Sequence, residues 1–371
     1  MRRLRVLLSA RDPGGAAQMR ELVPALRADP RASVTVAASG AAFDILAAAN
    51  HAPVRFALPG GATHVPSGGD PAPLLEAARA LLARLVPDVL VVSISSLGVG
   101  LDEALLAGAA GRPTFALQDY PGDANAIDGA FAGLYFVRDE PAARLTHARF
   151  GVAALPVGSL RHAAYAAIDV LTLRGRTRAA LGAGDRPVIG FFGQPPEIPG
   201  QEAAFLDLVA ALGRRRPAPL CVLREHPKAL DLRDAHLAVL AAGGGPARDA
   251  TGPGAVELWL TACDLVTTCF SHCAMDYAFL NAVSPEPLGA ALFLLTTPEA
   301  RAFVRESTGL EAPDGVELGL GRVAETAADV VHLVDRLLTA EARHAYHEAS
   351  RKLPRGADLA RIVDTVLGAV P

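Results

Sequence analysis

Short apolar runs alternate along this chain with stretches of helical period. Residues 4–9, 34–37, 54–58, 89–93, 114–117, 134–137 and 155–157 read as strands. Between them apolar positions recur at helical spacing, which predicts helices over 16–28, 41–50 and 73–85, the last with proline in its first turn. The alternation restarts with strands at 188–192, 219–223, 264–269 and 290–296. Helices are expected there over 202–214, 255–262, from 298, over 327–338 and over 359–370. Strands that read as continuous apolar runs belong in parallel sheets covered on both faces by helices.

A chain of 371 residues is too long for one ordinary core. The expected class is therefore α/β, with two Rossmann-like domains whose parallel sheets face across a cleft. The first domain is expected over 1–160 and the second over 187–350. A helical linker region over 161–186 joins them, and a terminal helix in 351–371 crosses back to the first.

Hydrophobic residues make up 51% and charged residues 20%, a globular composition. The formal charge of −4 gives no general attraction to nucleic acid or anionic lipid. Arg214-Arg215-Arg216, before Pro217, reads as a solvated helix end. The apolar run Val6-Leu7-Leu8 is too short for a secretory signal. No apolar stretch of about 18 residues predicts a membrane span, so a cytoplasmic protein is expected. Cys221, Cys263, Cys269 and Cys273 form no CxxC pair and read as buried free thiols, with no metal and no cofactor.

Ligands of open α/β sheets bind beyond the carboxyl ends of the strands, and polar clusters fall there. After 219–223 comes Arg224-Glu225-His226-Pro227-Lys228. Arg224 and Lys228 can neutralise a diphosphate, His226 can donate to a phosphate oxygen, and Pro227 fixes the turn. After 264–269 comes Phe270-Ser271-His272, where Ser271 can cap a helix or offer its hydroxyl and helix amides to a phosphate. Gly193-Gln194 follows another strand, with Gly193 letting a ligand approach the backbone and Gln194 offering an amide to a base or sugar. A plain Pro/Gly turn is the alternative reading. These residues point to a nucleotide phosphate.

The first half offers Gly14-Gly15 before a helix, a place for a phosphate or sugar or simply a tight turn, with Asp12 beside it as a candidate general base or merely a turn carboxylate. It lacks GxGxxG and P-loop spacing. After 114–117, Asp119, Asp123 and Asp128 fall within ten positions. One of them can take a proton from a substrate hydroxyl, and Asp119 sits closest to the strand end. A turn-rich loop is the alternative. The loop over 61–70, with His64 and Ser67, reads either as an acceptor-side loop or as surface.

With these motifs the chain resembles the glycosyltransferase-B (GT-B) superfamily over most of its length. Closest in pattern are bacterial capsule-type sialyl- and polyol-phosphate transferases. His226-Pro227 matches their HP pair, and Ser271-His272, 45 positions later, stands where they carry Ser-Ser or Ser-Thr. Asp128-Gly129 matches their acidic-acidic-Gly motif only in part, because Ile127 replaces an acid. The base therefore stays open among Asp119, Asp123 and Asp128. The resemblance implies a metal-independent glycosyltransferase of surface polysaccharide or glycoconjugate synthesis. Its partners would be a nucleotide-sugar donor, an acceptor glycan or small molecule, and a second copy of the chain as a candidate homodimer. The hydrolysing UDP-N-acetylglucosamine 2-epimerases are similar in the early Gly-rich loop and in 257–271, but their paired carboxylates and histidines are missing. A degenerate member that only binds a sugar nucleotide or a partner protein is the third reading.

Overall fold

The computed structural model describes residues 2–58, 61–95, 98–252 and 255–370. Met1 and residues 59–60, just before the loop expected over 61–70, lie outside the described residues. The chain forms two compact units, Met1–Ala164 with Gly356–Pro371, and Tyr165–Arg355.

The first unit opens with β1 (Leu4–Ala10), α1 (Pro13–Ala28), β2 (Ala32–Ala38), α2 (Gly40–Ala48) and β3 (Val54–Arg55). Next come β4 (His64–Val65), α3 (Ala72–Leu85), β5 (Val89–Val92), β6 (Val99–Gly100) and α4 (Leu101–Ala107). It continues with β7 (Thr114–Leu117), β8 (Leu134–Val137), α5 (Glu140–Phe150), β9 (Ala154–Pro156) and α6 (Leu160–Ala163). Seven of these strands form one sheet in the order β3-β2-β1-β5-β7-β8-β9, all parallel, while β4 and β6 pair separately and antiparallel.

The second unit carries α7 (Val170–Leu181), β10 (Val188–Phe192), α8 (Gln201–Gly213), β11 (Leu220–Arg224) and α9 (Arg233–Gly243). Then follow β12 (Ala247–Asp249), α10 (Val256–Ala262), β13 (Leu265–Thr268), α11 (Cys273–Val283) and β14 (Ala290–Leu294). It ends with α12 (Pro298–Thr308), β15 (Arg322–Ala324), α13 (Ala327–Leu337) and α14 (Ala340–Ser350). Its sheet is parallel, in the order β12-β11-β10-β13-β14-β15. The last helix, α15 (Leu359–Leu367), buries Ile362, Val363, Val366 and Leu367 in the core of the first unit.

The α/β class with two parallel sheets is the one expected, and three local expectations change. Helix α1 begins at Pro13, not residue 16, because proline suits a first helical turn whose N–H groups have no partners. Gly14 and Gly15 thus lie inside the helix. The helical linker region expected over 161–186 is broken: α6 ends at Ala163, and α7 starts afresh where the Asp169 side chain accepts from Thr172 N. Only Val54–Arg55 of the strand expected over 54–58 pairs with the sheet, while Phe56 and Leu58 turn into the core. Of the four cysteines, all free, Cys221, Cys263 and Cys269 are buried and Cys273 is half-buried. No described helix is long and apolar enough to cross a membrane.

The amino-terminal edge of the second sheet is tied by one carboxylate. Asp264, just before β13, accepts from Val188 N (2.8 Å), Arg174 Nη2 (2.5 Å), Arg178 Nη1 (2.8 Å) and Arg343 Nη1 (3.3 Å). It joins α7 and α14 to β10 and β13 through side chains that are mostly out of water. Removing one partner of such a network leaves buried cations uncompensated. Asp264→Ala is therefore expected to cost about 3–5 kcal/mol in urea unfolding; a cost under about 1 kcal/mol would show that the network carries little stability.

Candidate active site

In each sheet the strand order reverses once, between β1 and β5 in the first unit and between β10 and β13 in the second. Helices leave to opposite faces at such a point, so the carboxyl ends of the two strands part and leave a crevice. The polar clusters singled out from the sequence fall beside these two points.

In the second unit Gly193-Gln194 follow β10, Arg224-Glu225-His226 end β11, and Phe270-Ser271-His272 follow β13. The Gln194 side chain bridges the crevice, its Oε1 accepting from Phe270 N at 2.7 Å. Its main chain is held by the Gln201 amide, which accepts from Gln194 N (2.5 Å) and donates to Gln194 O (3.2 Å). Gln194 is buried, and its amide oxygen braces the turn instead of waiting for a base or sugar. The face of Gly193 is likewise taken: an added Cβ would lie 2.6 Å from Oε2 of Glu225, so a carboxylate, not a ligand, requires glycine there.

Arg224 donates to the carbonyls of Ala250 (2.5 Å) and Gly252 (3.1 Å), and burial lowers its pKa. Its first task is to hold the 250–252 segment, which changes the expectation of a phosphate ligand. His226 Nδ1 accepts from Lys228 N at 3.1 Å, so a neutral ring carries its proton on Nε2. Pro227 and Lys228 are exposed. Ser271 closes the turn before α11: its Oγ accepts from Cys273 N (3.3 Å), and its own N–H donates to Thr268 Oγ1 (3.2 Å). His272 is half-buried at the start of α11. The cations, the hydroxyl and the first amides of α11 are gathered at neighbouring strand ends.

In the first unit Asp12 stands at the N-cap position of α1 without a side-chain capping bond, and Arg11, buried, donates to its Oδ2 at 2.9 Å. Gly14 and Gly15 are not open to a ligand. An added Cβ at Gly14 would collide with the Asp119 carboxylate, and one at Gly15 with the Ser93 side chain. The carboxylate of Asp119 thus lies against the first turn of α1, where the helix dipole favours negative charge. Arg161 Nη1 stands 3.8 Å from Asp119 Oδ1.

Asp123 belongs to the same group. The Gln118 side chain fixes its loop by donating from Nε2 to Asp123 O and Thr146 Oγ1, both at 2.8 Å. Burial pushes the Asp123 carboxyl up to about 7; Arg149 opposes the shift, and the carboxylates of Asp119 and Asp12 add to it. Asp128 stands apart. It is exposed, has a left-handed backbone (φ 52°), and lines a cavity of about 390 Å³ with 66–69, Pro71, 98–99 and 125–127. Asn125 braces that cavity by donating to Ser95 O (3.1 Å) and Gly98 O (2.6 Å). Ser67 of the 61–70 loop is on its wall.

Two clusters escaped the sequence reading. Asp102, at the start of α4, accepts from the hydroxyls of Ser9 (2.5 Å), Ser93 (2.9 Å) and Ser95 (3.3 Å). Glu103 beside it accepts from Ser95 N (2.9 Å) and Gly100 N (2.7 Å), and burial raises both carboxyls. The Asp-Glu pair opening an apolar heptad was the available signal. The second cluster, Glu202, His236 and Glu225, had none, because its members are far apart in sequence. Among the described residues, no group of three or more His, Cys, Asp or Glu side chains is placed to hold a metal ion.

No protein-family model matches the chain, and no curated protein matches it. Solved structures do. UDP-GlcNAc 2-epimerase from Neisseria meningitidis, bound to UDP-GlcNAc, superposes with a TM-score of 0.72 at 11% identity, over 98% of this chain and 100% of that one. The UDP co-structure of MnaA from S. aureus gives 0.67 at 15%, over 98% and 96%. A glycosyltransferase from Rickettsia africae gives 0.61 at 9%, over 99% of both chains. The fold is GT-B-like. At these identities the likeness is one of fold, in agreement with the architecture that the sequence motifs implied.

The Asp123 carboxyl gives a pH test. Its folded value lies above the ordinary 3.8, so its contribution to stability is fully present below that value and is lost as pH rises through about 7. Asp123→Asn cannot titrate. Its melting temperature is expected to gain on that of the wild type between pH 4 and pH 8, and a constant difference across that range would contradict the shift.

Proposed function

We propose that this chain is a nucleotide-sugar enzyme, a glycosyltransferase that moves a sugar from its nucleotide donor to an acceptor hydroxyl. The observation that carries the reading is the pairing of chemistries at the two switch points. One is an anion-type cluster of His226, Lys228, Ser271 and the α11 amides; the other is a group of carboxyls with Asp123 near 7. Departure of a nucleotide places new negative charge on phosphate oxygens, and the Lys228 ammonium, a hydroxyl and helix amides stabilise that charge. A base is most effective when its pKa is close to the working pH, which points to Asp123. The acceptor is assigned to the cavity walled by 66–69 and 125–128, whose rim begins two residues after Asp123. Arg224 and Gln194 support this site through the backbone they hold.

Neighbours crystallised with UDP or UDP-GlcNAc favour a uridine nucleotide. The same neighbours motivate a second reading, a hydrolysing 2-epimerase that needs no acceptor. The free cysteines fit a reducing compartment, and we assign the chain to the cytoplasm, in surface polysaccharide or glycoconjugate synthesis.

Calorimetric titration with CMP, CDP and UDP is expected to show binding of at least one at millimolar concentration; a folded protein that binds none overturns the donor site. Incubation with UDP-GlcNAc alone separates the reactions, since a hydrolysing epimerase passes the sugar to water and releases UDP without acceptor, and a transferase does not. With donor and acceptor identified, Asp123→Asn is expected to lower turnover by about 10²–10⁴-fold, the usual range for a positioned base; an unchanged rate moves that role to another group.

A further inference from the structure

Both ring nitrogens of His236, on α9, meet carboxylate oxygens. Nδ1 is 2.6 Å from Oε1 of Glu225, and Nε2 is 2.7 Å from Oε2 of Glu202. An ionised carboxylate only accepts, so both nitrogens carry hydrogen and the imidazole is a cation. Phe205 of α8 packs on the ring with centroids 4.3 Å apart. The Glu202 side chain is 62% exposed and that of Glu225 0%, so the cation links a surface carboxylate to a fully buried one.

Glu225 sits at the start of the 226–228 turn read as holding phosphate. It precedes His226 directly, its N–H donates to Thr251 Oγ1 at 3.0 Å, and its Oε2 lies against Gly193 with no hydrogen-bond partner among the described residues. His236 is thus the side chain that neutralises it.

We propose that His236 is a positioning residue whose proton holds Glu225 in place beneath Gly193 and thereby sets the anion affinity of the 226–228 turn. The proposal rests on the reading of that turn as a phosphate site. With the proton, the three groups sum to one negative charge; without it they sum to two, beside a bound anion, and a buried carboxylate loses its donor. Other charges on the elements packed around α9 are directed elsewhere. Asp249 of β12 faces Arg233, and Arg224 of β11 donates to backbone carbonyls. Asp207 of α8, Asp231 and Asp234 near the start of α9, and Arg248 of β12 make no ion pair with the ring among the described residues. Cys221 of β11 is a thiol pushed up to about 12 and stays neutral. The direction of titration agrees: Glu225 first, and Glu202 with it, raise the His236 value above 6.5 against the opposing effect of burial. The clamp is intact below that value and is lost as pH rises through the raised one.

The test is UDP titration of wild type, His236→Gln and Glu202→Gln from pH 7 to pH 9.5, where the ligand phosphate is already ionised. NMR titration of the ligand-free proteins accompanies it. In the wild type, UDP affinity is expected to fall several-fold in one step. The His236 ring and the amides of Gly193 and Lys228 should share the midpoint of that step. His236→Gln removes the step, and Glu202→Gln moves it to lower pH. A His236→Gln variant that melts lower yet keeps the wild-type pH profile would show a merely structural role and overturn the proposal. If UDP binds at no pH, the phosphate reading fails by itself. Amides that ignore the His236 titration overturn the clamp in either case.

Discussion

The hydrogen bond from Phe270 N to the Gln194 side chain spans the one place where the second sheet comes apart. β10 and β13 run side by side through Ile189, Gly190 and Phe191, and beyond that pairing their connections leave to opposite faces. Parallel sheets create such gaps wherever the strand order reverses, and backbone groups exposed in the gap need partners. The Gln194 side chain and the Ser271 hydroxyl supply them, while Arg224 ties down the neighbouring 250–252 segment. Because they do, the turns bearing His226, Lys228 and the α11 amides are fixed before any ligand arrives, which is the condition for electrostatic stabilisation at low reorganisation cost.

The first unit meets the same constraint with carboxylates. Ser9 at the end of β1 and Ser93 just beyond β5 both donate to Asp102, which seals the foot of the gap. Asp119 covers the first turn of α1, and Asp123 is left half-buried among like charges. Burial is what brings this carboxyl near neutrality, against Arg149 and with a smaller push from the neighbouring acids. The two units therefore offer opposite chemistry at equivalent positions of similar sheets.

The sheets and the ends of the strands were legible because continuous apolar runs such as Val188–Phe192 have few alternatives to a buried parallel strand. Polar residues placed just after those runs were legible for the same reason. Their roles were not. Nothing in Gly193-Gln194 reveals that Glu225 would close on the glycine or that the amide would reach Phe270. Gly14-Gly15 reads as an opening for an anion, yet Asp119, over a hundred residues away, supplies the negative charge itself. Close approach between distant segments decides these cases, and a one-dimensional pattern does not contain it. His236 was invisible because α9, with His236 and Leu240 as its buried residues, gives too weak a helical stripe to be read.

Hydrogen exchange of the full chain with and without saturating UDP tests the central claim most directly. Slower exchange at 193–194, 224–228 and 270–275 is the expected result, since these amides line the gap beside β10 and β13. Binding that leaves those segments unchanged and protects amides elsewhere would contradict a phosphate site at that switch point.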